Sequence, residues 1–157
     1  MFRFSPRANK AHLITWHEWG EQAFRAAQHE GKLVVLFLTA FWCGVCQRMD
    51  ETTLSDDDII EALNTVFIPI RVEESQHPDI DVRYNQDGWP TIVFLTPEGH
   101  YIASVNHLAP EPFFELLIEV AGRYQEAKDE LSRRAAESNA AFVQHHRQRP
   151  HRNASDC

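Results

Sequence analysis

Two cysteines with two residues between them, in Trp42-Cys43-Gly44-Val45-Cys46, are the part of this chain best equipped for chemistry. The chemistry is thiol–disulfide exchange, in which one thiolate attacks a disulfide and a neighbouring thiol completes the transfer. The apolar run Leu33 to Phe41 precedes the pair and a helical pattern follows it. Cys43 therefore falls at a helix N-terminus, where unpaired backbone N–H groups and the helix dipole favour a thiolate and lower the thiol pKa. This makes Cys43 the candidate nucleophile. Cys46, nearly one turn on, lies on the same side at the ~5–6 Å Cα separation that a disulfide accepts. It sits further into the helix beside Val45 and Met49, where burial disfavours its thiolate. Asp50 and Glu51 cannot favour an anion there, and Arg48 is the nearby cation that could.

Two plainer readings compete. Half of a zinc site needs two further ligands, but the third cysteine is the terminal Cys157 and no suitably spaced histidine pair accompanies a second cysteine. Two small buried residues would also explain free cysteines. The tryptophan before the pair and the glycine within it point instead to an exposed, tight turn. No metal and no cofactor is expected.

A chain of 157 residues, 43% hydrophobic, suffices for one well-buried core plus a tail. Its formal net charge of −8, without a cluster of Lys and Arg on a folded segment, argues against nucleic acid or an anionic membrane as partner. Met1 to Thr15 has no continuous apolar stretch of the secretory kind, and no run is long enough to span a bilayer. The expected compartment is the cytoplasm, where three cysteines are not a disulfide framework.

The elements that must position the pair follow from pattern. Thr15-Trp16-His17-Glu18 has capping-box form and predicts a helix whose buried face carries Trp16, Trp19, Ala23 and Ala27, ending at Gly31. Leu33 to Thr39 is apolar on both faces, as a central strand is. A helix runs from the cysteines to about Thr52 or Thr53, and Ser55 caps the next, with Asp56, Asp57 and Asp58 in its first turn and Leu54 stapled to Ile59. Val66 to Val72 is a second buried strand, Pro78 the first residue of a short helix to Tyr84, and Thr91 to Thr96 a third strand. Pro97-Glu98-Gly99-His100 turns into its hairpin partner, Tyr101 to Val105. The last helix starts near Pro112, with a seam of Phe113, Leu117, Val120, Tyr124, Ala127 and Leu131. That seam is longer than one sheet needs, so Gln125 to Ser138 is expected to contact a second copy, as a homodimer, or another partner. The domain is read as residues 1–136 and the polar, histidine-rich remainder, 137–157, as a disordered tail; its Asn153-Ala154-Ser155 fits a glycosylation sequon.

Trp42-Cys43-Gly44-Val45-Cys46 together with Trp89-Pro90-Thr91 resembles the W-C-G-x-C site and x-P-T loop of the thioredoxin superfamily. The resemblance implies an α/β three-layer sandwich, a mixed central sheet with helices on both faces, ending in a long C-terminal helix. It also implies a cis Pro90 facing the reactive sulfur of Cys43. From Cys43 to about Ile102 the chain is similar to the thioredoxin-like domain that opens the spermatogenesis-associated protein 20 group, through Cys46-Gln47-Arg48-Met49-Asp50-Glu51, Pro78-Asp79-Ile80-Asp81 and Gly88 to Gly99. Those proteins continue into a helical domain resembling sugar-processing enzymes, which these residues do not include, and no glycosidase activity is expected. Cys-x-x-Cys-x-x-Met with a following acid also resembles the periplasmic domain of transmembrane disulfide-interchange reductases.

The chain departs from thioredoxins at two positions. Phe37 stands where they carry a buried aspartate, leaving Glu73 as a weak candidate for moving a proton, and Val45 stands where they carry proline. The resulting expectation is a thiol–disulfide oxidoreductase in which Cys43 attacks a protein disulfide and Cys46 resolves the mixed disulfide. Trp42, Gly44, Val45, Trp89 and Pro90 would form the substrate surface, and a separate dithiol reductase would supply electrons. The rival is a non-catalytic thioredoxin-like adaptor that binds a protein partner.

Overall fold

The structure, a computed structural model, describes residues 5–85 and 88–148. Strand β1 (Leu33–Thr39) is buried at all seven positions because it is the inner strand of a four-stranded sheet of order β2-β1-β3-β4. It pairs in parallel with β2 (Phe67–Glu73), Leu33 opposite Phe67, and antiparallel with β3 (Thr91–Leu95), Val35 opposite Phe94. The edge strand β4 (Tyr101–Val105) closes the hairpin with β3.

Alternation along β1 sends successive side chains to opposite faces. Val34, Leu36 and Leu38 join Ala23 and Ala27 of α1 (Glu21–Glu30), together with Ile80 and Tyr84 of α4 (Pro78–Tyr84). Phe37 points the other way, where its ring meets Phe113 at 6.2 Å. Phe113 opens α5 (Pro110–Gln148), so helices cover both faces of a mixed sheet, as the three-layer sandwich requires. Between β1 and β2 the chain makes α2 (Gly44–Glu51) and α3 (Asp57–Thr65).

Several local expectations change. Thr15-Trp16-His17-Glu18 does not start a helix: the His17 N–H donates to the Pro69 carbonyl at 2.9 Å, and the residue forms an isolated bridge with Ile70. Pairing with the otherwise open edge of β2 outweighs the local capping signal, and α1 begins only at Glu21. Trp16 and Trp19 consequently part company. Trp16 stacks edge-on against Phe37 at 5.2 Å, while Trp19 packs on the opposite face against Phe24 and Tyr84. The cap of α3 is Asp56 rather than Ser55, its carboxylate accepting from the N–H groups of Asp58 and Ile59. Ser55 instead accepts from the Lys10 N–H and donates to the Asp50 carbonyl.

By compactness the chain divides at 121/122, into Met1–Ala121 and Gly122–Cys157, not at 136/137. The sheet and the cysteine pair lie in the first unit. In the second, helical backbone continues through 137–148, a stretch read from the sequence as disordered tail. That stretch carries alanine and glutamine and meets no glycine or proline before Pro150, so nothing in local propensity stops the helix. Pairs one turn apart line this helix, Gln125 with Asp129 and Arg134 with Glu130, and Leu131 is 63% exposed. The sequon and Cys157 lie outside the described residues.

Candidate active site

The loop after β1 is fixed by its own backbone before any chemistry begins. The Cys43 N–H donates to the Ala40 carbonyl at 3.1 Å, and Glu74 N–H to the Thr39 carbonyl at 2.9 Å. Glu73, at the end of β2, is buried and committed to this scaffold. One carboxylate oxygen accepts from the Phe41 N–H at 3.2 Å; the other accepts from the N–H groups of Ser75 and Gln76 at 2.8 and 3.1 Å and from the Ser75 hydroxyl. It braces the loop and is already saturated with donors, which removes the motive for assigning it the proton transfer.

Cys43 is the N-cap of α2. Its sulfur accepts the Cys46 N–H at 3.2 Å, an orphan helix donor aimed at the atom that would carry the charge, and in the thiol form donates to the Trp89 carbonyl at 3.6 Å. Both thiols are free. The turn is less open than expected, however. Trp42 is 67% exposed, but Cys43 is 7% exposed and Cys46 2%, and the two pack with Ala40 against Val45 and Trp89. Gly44 is exposed, and a Cβ there would meet only Arg48 at 3.6 Å.

The Trp89–Pro90 peptide bond is cis, and the loop carrying it is tied down by side chains. Asn106 donates to the Pro90 carbonyl at 3.2 Å, and the Thr91 hydroxyl donates to the Gly88 carbonyl at 2.5 Å. The rings of Trp42 and Trp89 meet edge to face at 5.2 Å. The fold therefore brings together all seven residues expected at the site: Trp42, Cys43, Gly44, Val45 and Cys46 on one loop and helix, Trp89 and Pro90 on the other loop.

Burial pushes the Cys46 thiol up to about 12, with its hydrogen bond to Cys43 and repulsion from the neighbouring thiolate acting in the same direction. Arg71 opposes this shift. The cation that bears on Cys46 is thus Arg71 of β2 and not Arg48, whose side chain stays in solvent. Asp50, one turn beyond Cys46, holds Arg71 through both guanidinium NH2 groups, one at 3.0 Å, and that guanidinium stacks over Trp16 at 4.4 Å. The sequence reading missed this pair. Its available signal was a lone arginine in the apolar run Phe67 to Val72. Among the described residues no group of three or more His, Cys, Asp or Glu side chains could hold a metal ion.

The raised Cys46 pKa has a testable consequence for stability. Above an ordinary thiol pKa of ~8.5 the unfolded chain releases this proton while the folded protein keeps it until about 12, so the reduced protein loses stability as pH rises through that window. The slope attributable to one such group is at most about 1.4 kcal/mol per pH unit. Urea unfolding at stepped pH should show it in the reduced protein and lack it in Cys46→Ala. Equal slopes would contradict the assignment.

A dithiol at a helix N-terminus opposite an x-Pro-Thr loop, on a sheet of this order, defines a thioredoxin-like protein. The chain belongs to the Thioredox_DsbH family, described as a protein family of unknown function, DUF255, which matches residues 6–143. It is 27% identical over 132 residues to spermatogenesis-associated protein 20 of Rattus norvegicus, covering 75% of this chain and 17% of that protein. It is 33% identical over 83 residues to the thiol:disulfide interchange protein DsbD of Yersinia pestis, covering 51% of this chain and 14% of that one. The chain thus spans less than a fifth of either relative's length. Among solved structures, the fold is shared with a DsbH oxidoreductase (TM-score 0.60, 16% identity, 74% of this chain and 92% of that one). It is also shared with a thioredoxin from Thermus thermophilus (TM-score 0.59, 24% identity, 68% and 88%).

Proposed function

We propose that the protein is a thiol–disulfide oxidoreductase acting on protein disulfides. The observation that carries this reading is the geometry of Cys43: its sulfur accepts the Cys46 N–H at the helix start and is the one sulfur of the pair facing the Trp89–Pro90 loop. The Cys43 thiolate attacks a substrate disulfide, forming a mixed disulfide and releasing the first substrate thiolate. Cys46 then loses its proton to solvent or substrate thiolate and attacks the Cys43 sulfur. The second substrate thiolate leaves, and the protein holds a Cys43–Cys46 disulfide. Two electrons have passed to the substrate, and a dithiol reductase returns them. The name of the thiol:disulfide interchange protein DsbD, similar over 83 residues of the chain, supports the same chemistry.

Protein partners are favoured over nucleic acid or anionic membranes by the net charge of −8. The cytoplasm is the proposed compartment because three cysteines are too few for a disulfide framework; among the described residues no helix is long and apolar enough to cross a membrane. Exposed Leu131 makes Gln125 to Ser138 the proposed contact for a second copy or a partner.

The adaptor reading draws on one observation: the place of the thioredoxin aspartate is filled by the fully buried Phe37, while buried Asp50 and Glu73 are bonded to Arg71 and to the loop backbone. Turbidity from reduction of insulin disulfides separates the two. An oxidoreductase accelerates precipitation and loses that effect in Cys43→Ser, whereas an adaptor shows no turnover in either form.

A further inference from the structure

The two indoles at the site are each held by a carboxylate. Trp89 Nε1 donates to Asp81 Oδ1 at 2.8 Å, and Trp42 Nε1 donates to Glu74 Oε1 at 3.4 Å. No cation lies within ion-pair distance of either carboxylate among the described residues. Asp81 uses one oxygen for both of its bonds, to Trp89 and to the Asn85 amide, leaving Oδ2 available. Beside it lies an open groove of about 420 Å³, lined by Asp81, Val82, Asn85, Gly88 and Trp89. Val82 is 79% exposed, unusual for an aliphatic side chain on a helix whose other apolar residues, Ile80 and Tyr84, are buried. The nearest basic residue on the far side of the cysteines, Arg48, leans over Gly44. The cation of α4, Arg83, sits over the Tyr84 ring at 5.2 Å and does not line the groove, so the groove itself presents acid and aromatic surface, with the Arg48 guanidinium on the α2 side of the rim.

We infer that the groove beside Trp89 receives a lysine or arginine side chain lying close in sequence to the reactive cysteine of the substrate protein. The aliphatic stem covers Val82, and the cationic head meets Asp81 Oδ2 and the indole faces, which donation to carboxylates makes more electron-rich. Glu74 extends the same field past Trp42. This rests on Cys43 being the attacking thiolate and adds the class of substrate it selects.

Three peptides with one central cysteine, flanked by lysine, glutamine or glutamate, are each activated as the mixed disulfide with 2-nitro-5-thiobenzoate. Attack of Cys43 on the peptide sulfur forms the Cys43–peptide disulfide and expels the coloured aromatic thiolate, whose release gives the second-order rate. With reduced protein at low ionic strength the lysine peptide should react about tenfold faster than the glutamate peptide, the glutamine peptide falling between. The ratio should shrink to about threefold or less in Asp81→Asn, which keeps the acceptor for Trp89 and removes the charge, and in the unmodified protein at about 1 M salt, where charges more than ~3 Å apart are screened. Equal rates, or a preference that survives Asp81→Asn, overturn the inference while leaving the dithiol chemistry standing. Failure of all three peptides to react overturns the oxidoreductase reading and this inference with it.

Discussion

Cys46→Ser should accumulate mixed disulfides with substrate, and Cys43→Ser should form essentially none. Cys43 receives the helix N–H at 3.2 Å and faces the Trp89–Pro90 loop, whereas Cys46 lies behind it with its thiol pushed up to about 12. At pH 7 a thiol of that pKa is ionised to about one part in 10⁵, against roughly 3% for an ordinary thiol near ~8.5. Burial is the largest cause of that shift and persists when Cys43 is replaced, although the contributions of Cys43 itself do not, so Cys46 alone stays less ionised and slower to attack than a free thiol. It can still resolve a mixed disulfide, because there the target is held beside it. Iodoacetamide should likewise modify reduced Cys43 well ahead of Cys46. Trapping that succeeds only when Cys43 is removed would reverse the two roles.

Asp50→Ala should lower unfolding free energy by about 3–5 kcal/mol, read from urea midpoints. The Asp50 and Arg71 side chains are 3% and 12% exposed, and their two-bond pairing neutralises a guanidinium lodged beside Cys46 and Trp16. Removing the carboxylate strands that charge among Phe37, Trp16 and the sheet. Replacing both partners, Asp50→Leu with Arg71→Met, should recover most of the loss, since a buried pair is often no better than apolar residues of its volume. The recovered protein loses the one ionised side chain that opposes the upward shift of Cys46, so mixed disulfides should persist longer in it than in the unaltered protein. A loss below about 1 kcal/mol for Asp50→Ala would show that Arg71 reaches water.

The strands and the cysteine helix were legible because their signals are local. Six consecutive apolar residues, Leu33 to Leu38, mark an inner strand in a chain of this size, and a C-x-x-C after it falls at a helix start. Thr15 to Glu18 misled because its capping signal competes with a pairing to Pro69 and Ile70, more than fifty residues away, that no local pattern records. The Arg71–Asp50 pair was hidden for the same reason: each residue reads as an ordinary charge until the register sets Phe37 opposite Arg71 and turns α2 above them. Glu73 shows the same limit. Its position was visible in the sequence, but its four donors belong to backbone and side chains that only the folded loop assembles.

The central claim is that Cys43 and Cys46 form one reversible redox couple. Equilibrating the protein in glutathione or dithiothreitol buffers of stepped potential and counting free thiols tests it most directly. The account predicts a single two-electron transition ending in an intramolecular Cys43–Cys46 disulfide, with a midpoint between about −270 and −120 mV; a value near the lower figure marks a reductant and one above about −150 mV an oxidant. A protein in which no poise yields that disulfide, with the two thiols oxidising independently or not at all, would contradict it.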